Sequence, residues 1–137
     1  MALELEVNYF CRGILLGLVD IGIDTIRLCS QAGHAAALEA FKHLQEANDE
    51  QFDIRFAIIL HPIYRESGDW ANAVSFQLVS GLAIYSGGEY ITQVRRDYLD
   101  RWFESQPGSR DFWKRCATIY RDTFRTHLRT HPEPRSA

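Results

Sequence analysis

The sequence predicts a mainly α fold, a compact bundle of about five helices, and three stretches carry that reading. Residues 33–47, GHAAALEAFKHLQEA, are built from strong helix formers, with Ala37, Phe41 and Leu44 in a stripe opposite Glu39, Lys42, His43 and Glu46. Residues 89–105 repeat Ile91, Val94, Tyr98 and Trp102 at helical spacing, with Gln93, Arg96, Asp97, Asp100 and Glu104 on the other side. Residues 110–128 place Phe112, Cys116, Ile119, Tyr120 and Phe124 on one side of a third helix, and Ser109 offers its cap.

The remaining segments are less one-sided. Residues 1–30 read as a helix through Leu3, Val7, Phe10, Ile14, Leu18 and Ile21, on which Gly13 and Gly17 would let another helix approach closely. The start of that segment also alternates like a strand, with Leu3, Leu5, Val7 and Tyr9 against Glu4, Glu6 and Asn8. Residues 52–60 alternate too, through Phe52, Ile54, Phe56, Ile58 and Leu60; the competing reading is a short helix capped by Asn48 or Asp49 and ending before Pro62. A lone strand leaves its backbone groups unsatisfied, so residues 52–60 need residues 3–10 as a partner. Residues 69–86 read as a buried helix capped by Asp69, although Val74, Phe76 and Leu78 would also suit a strand. The alternative architecture is therefore α+β, with a small sheet of residues 3–10 and 52–60 that 73–79 would extend. Gly87-Gly88 and Pro107-Gly108 punctuate the ends of the helix between them.

At 137 residues the chain has the length of a single domain able to bury its core without disulfide staples. We assign residues 1–130 to that domain and residues 131–137, with Pro132 and Pro134, to a disordered tail. The apolar run Ile14–Ile23 is broken by Gly17, Asp20 and Gly22, and MALELEV has acids where a secretory signal needs bases. A cytoplasmic location without membrane insertion is the expectation. Cys11, Cys29 and Cys116 are odd in number and lack CxxC spacing. On one continuous helix Cys11 and Cys29 would stand roughly 27 Å apart, too far for a disulfide.

A net charge of −3 conceals an asymmetry: residues 1–94 balance at −7 and residues 95–137 at +4. Arg110, Lys114, Arg121 and Arg125, spaced by four, seven and four, share one face of the last helix. These four are the candidate partner-binding residues. The reading they support is a non-enzymatic binding or regulatory module, docking on a protein partner with an acidic surface or on a second copy of itself. The plainer reading is a solvated basic face, paired in part with the acidic N-terminal region.

Arg121-Asp122 followed by His127 resembles the short Arg…His motif of the HEPN ribonucleases, which implies an RNA-binding or RNA-cleaving helical domain. The resemblance spans seven residues, and Arg125 with His131 repeats the spacing. At the helical repeat His127 lies about 120° around the helix from Arg121, so a structural histidine is expected instead. His127 and His131 stand at metal-ligand spacing, but no third ligand accompanies them. No cofactor or metal is expected. Trp70, Trp102 and Trp113 sit at spacings typical of core aromatics. No GxGxxG, P-loop, HExxH or GxSxG motif is present, which leaves a small-molecule enzyme only as a reading with dispersed site residues.

Overall fold

The computed structural model describes residues 3–105 and 110–131. In chain order it contains β1 (Leu3–Leu5), α1 (Val7–Asp20), β2 (Thr25–Ile26), α2 (Gln31–Ala47), β3 (Phe52–Ile54), α3 (Gly68–Val79), β4 (Ala83–Ser86), β5 (Glu89–Thr92), α4 (Arg96–Ser105) and α5 (Arg110–Thr130). Among the described residues the fold is mainly α, five helices with two small sheets. The proposed cap Ser109, the Pro107-Gly108 stop and residues 132–137 of the tail lie outside the described residues.

Both readings of the N-terminal segment hold, each over part of it. Leu3, Glu4 and Leu5 pair in parallel with Phe52, Asp53 and Ile54, and the chain then turns into α1 at Val7. That turn explains why the strand expected over residues 52–60 stops early. Arg55 donates its N–H to the Leu5 carbonyl at 3.0 Å, and beyond Leu5 there is no strand left to pair with. Asn48 caps no new helix; it is the C-cap of α2. Its side-chain amide braces the next strand instead, donating to the Phe52 carbonyl at 2.8 Å and accepting from the Phe52 N–H at 2.9 Å.

Residues 69–86 and 89–105 are each divided. The segment 73–79 is helical, within α3, and the α3 cap is Ser67, whose hydroxyl accepts from Trp70 N–H at 3.2 Å; Asp69 falls in the first turn. Ala83–Ser86 then pairs antiparallel with Glu89–Thr92 across Gly87-Gly88, whose φ values of +60° and +87° make the two-residue turn. Glycine takes two successive positive φ angles at no steric cost, and this geometry matches the twist of a hairpin. The helix expected over residues 89–105 is therefore a strand followed by α4.

The second sheet has the order β2-β5-β4, so β2 and β4 are its edges. α1 lies at the centre of the molecule, with Phe10, Ile14 and Leu18 buried against α3 and α5, and α2 packs along α5. Trp70, Trp113 and Tyr120 are wholly buried and Trp102 is buried, so the tryptophans serve the core. A Cβ on Gly13 would stand 2.3 Å from the Trp113 ring, and one on Gly17 would stand 2.7 Å from the Trp113 carbonyl oxygen. The small pair thus allows α5 to cross α1 almost backbone to backbone. Cys11 is on α1 but Cys29 lies beyond it, so the one-helix separation does not apply; all three thiols are unpaired. Among the described residues no helix is long and apolar enough to cross a membrane.

Candidate functional site

The four cations expected to form one stripe divide into two groups. Arg110 is engaged within the fold: its Nε and Nη2 donate to Asp20 at 2.8 and 2.7 Å, and Nη1 donates to Asp100 at 2.7 Å. Its guanidinium also lies over the Phe103 ring, 5.2 Å from the centroid. These hydrogen bonds hold the Asp20 carboxyl below its ordinary range, against the opposing effect of burial, with further help from the charges of Arg110, Lys114 and Arg96. Lys114 thus adds its field to the same internal cluster. Arg110 is removed from the candidate partner surface, because its donors are already directed at two carboxylates of its own chain.

Arg121 and Arg125 lie elsewhere, eleven and fifteen residues further along α5, roughly 16 and 22 Å from Arg110 at a helical rise of about 1.5 Å per residue. With Phe124 and Leu128 they form one wall of a cleft of about 530 Å³. The opposite wall is the run from Gly22 to Arg27, with Glu89 at its end. Positions 121, 124, 125 and 128 are neighbours on a helix surface, so two guanidinium stems run along one side of an apolar pair.

The opposite wall owes its position to the end of α1. Gly22 takes φ +94°, its N–H donates to the Val19 carbonyl at 3.0 Å, and Ile23 N–H donates to the Leu18 carbonyl at 2.8 Å. This double closure satisfies the last carbonyls of the helix and turns the chain back on itself. Residues 23–27 then run along β5, paired as Thr25 with Ile91 and Ile26 with Tyr90. Arg27 reaches towards the hairpin turn, its guanidinium carbon 4.0 Å from where a Cβ on Gly88 would stand.

The charges of the cleft are Arg27, Arg121 and Arg125 against Asp24 and Glu89. Both acids stand on the sheet side, and the α5 wall is purely basic. Arg121 donates to its neighbour Asp122 at 3.0 Å, an exposed contact of the kind that contributes little in water. Arg125 is exposed and makes no ion pair with any described residue. Sequence reasoning found Arg121 and Arg125 through their spacing. It missed Arg27, Asp24 and Glu89, whose approach to α5 depends on tertiary structure; Gly22 at a helix end was the only local sign.

His127 does not join Arg121 in this cleft. It lies around α5, stacked on His131 with ring centroids 4.5 Å apart and planes at 19°. The two line a smaller cavity of about 170 Å³ with Gln31, Ala35, Leu60 and Arg65. The Arg…His spacing that resembles a ribonuclease motif therefore does not bring its two members to one site. Among the described residues no three His, Cys, Asp or Glu side chains gather as a metal site would require.

Another histidine has a structural task. His34 is buried, and its Nδ1 accepts from the Ser67 N–H at 3.0 Å, tying α2 to the start of α3. Burial pushes its pKa down, with the charge of Glu66 acting weakly the other way. No protein-family model, no curated protein and no solved structure matches the chain, so any functional reading rests on the cleft itself.

Proposed function

We propose that this chain is a non-enzymatic binding module that takes an acidic segment of a partner protein into the cleft between β2 and α5. The observation that carries the proposal is the pairing of Arg121 with Arg125 on one cleft wall, with Arg125 uncommitted among the described residues. Half-buried Leu128, with the rim of the largely buried Phe124, gives a small apolar contact beside them, the usual mixture in a protein-recognition groove. A polyphosphate chain suits the cleft less well, because Asp24 and Glu89 on the opposite wall would face it with like charge.

A direct test uses a fluorescein-labelled octapeptide of alternating Glu and Val, blocked at both ends, followed by anisotropy at two salt concentrations. Binding that weakens with salt and falls at least tenfold in Arg121→Ala plus Arg125→Ala supports the proposal. Undetectable binding at low salt overturns it. So does an eight-nucleotide oligouridylate that binds to the same arginines more tightly than the peptide.

A further inference from the structure

We infer that the acidic segment docks as an added strand on β2, an inference that rests on the cleft reading above and specifies how the partner's backbone is held. The hydrogen-bond register supplies the argument. Thr92 N–H donates to the Asp24 carbonyl at 2.8 Å, which places Asp24 opposite Thr92 at a hydrogen-bonding position and sets the phase of the antiparallel ladder. Closed and open pairs alternate along an antiparallel ladder, so Thr25 opposite Ile91 is open and Ile26 opposite Tyr90 is closed again. The N–H and C=O of Thr25 therefore point away from β5.

β2 is an edge of its sheet, so those two groups point out from the sheet edge, and Thr25 itself is exposed. The run from Gly22 to Arg27 lines the cleft continuously, with the basic wall of α5 across from it. An extended chain laid against β2 meets one donor and one acceptor at Thr25. Its side chains alternate between the two faces of the enlarged sheet, and those turned to α5 meet Arg121, Phe124, Arg125 and Leu128. Charge complementarity selects the occupant. Carboxylates are drawn to Arg121 and Arg125, while Asp24 and Glu89 disfavour acids on the sheet side. The partner is thus an extended stretch with acids at alternate positions, so that its carboxylates share the face turned to α5.

The experiment compares the blocked Glu-Val octapeptide with two isomers, one methylated on every Glu amide nitrogen and the other on every Val amide nitrogen. A strand pairs through one edge only, so one isomer should bind roughly tenfold more weakly and the other like the parent. Saturation with the parent peptide should also slow hydrogen exchange of the Thr25 amide at least tenfold. Equal affinity of all three peptides, loss of binding by both isomers, or unchanged Thr25 exchange overturns strand addition. The cleft reading is judged separately, by whether the parent peptide binds through Arg121 and Arg125 at all.

Discussion

Arg110 grips Asp20 through two parallel hydrogen bonds of 2.8 and 2.7 Å, although the residues lie 90 positions apart in the chain. The Asp20 side chain retains only 6% of its exposure, whereas Arg110 keeps 36%. The pair joins the end of α1 to the start of α5, and Asp100 adds a link to α4. This contact separates an internal electrostatic clasp from the open cleft further along the same helix.

Asp20 makes the clasp pH-dependent. Its folded pKa is lowered, chiefly by hydrogen bonds from Arg110. The stabilisation is therefore complete above the ordinary aspartate value of 3.8 and is lost as pH falls through the lower folded value. Arg110→Ala leaves a mostly buried carboxylate without its main donors and should cost about 1–3 kcal/mol at neutral pH, with partial solvent screening of Arg110 keeping the loss modest. Urea unfolding from pH 6 to pH 2 checks this, since Asp20→Asn should flatten the acid limb of the stability profile.

Gly17 tests the helix crossing. A methyl group there meets the Trp113 carbonyl, which is backbone and cannot swing aside. Gly17→Ala should destabilise by roughly 1–3 kcal/mol through overpacking, outweighing alanine's better helix propensity. At Gly22, where nothing stands within 4 Å of an added Cβ, the obstacle is instead the positive φ. Gly22→Ala should cost no more than about 1–2 kcal/mol. Thermal unfolding of the two variants ranks them.

Tyr120 reverses the usual sign. It is wholly buried against Trp70, its hydroxyl has no hydrogen-bond partner among the described residues, and burial pushes its pKa up. Removing an unsatisfied hydroxyl while keeping the ring should leave stability unchanged or raise it by up to about 1 kcal/mol. A loss of more than that in Tyr120→Phe, measured by urea unfolding, would show that the hydroxyl is bonded.

His34 gives a second pH signature. A lowered folded pKa means that its stabilisation is complete above the ordinary histidine value of 6.5 and is lost as pH falls through the depressed one. Protonation of Nδ1 would also replace the acceptor of the Ser67 N–H with a donor. His34→Asn, which keeps an acceptor near that place, should remove the slope below pH 6.5, and His34→Ala should cost about 1–3 kcal/mol more than asparagine does. Unfolding curves between pH 7.5 and 5 distinguish these outcomes.

How much of this was legible follows from the range of the interactions. Residues 33–47 and 110–128 announce their helices because every third or fourth residue reports the same buried face. The pairing of residues 3–5 with 52–54 was accessible from alternation and the need of a strand for a partner. The hairpin was concealed because Ile91, Val94, Tyr98 and Trp102 keep helical spacing across a strand, a bend and a helix. The Gly87-Gly88 turn between AIYS and EYIT was its local sign. A helical wheel finds Arg110, Lys114, Arg121 and Arg125 but cannot register that Asp20 occupies the first of them, nor that Arg27, Asp24 and Glu89 come to face the last two.

A charge-swap titration tests the central claim most directly. The account predicts that Arg125→Glu weakens binding of the Glu-Val octapeptide at least tenfold and restores binding when lysine replaces glutamate in the peptide. Equal affinity of the wild-type protein and Arg125→Glu for the acidic peptide would contradict it, as would failure of the lysine peptide to recover binding.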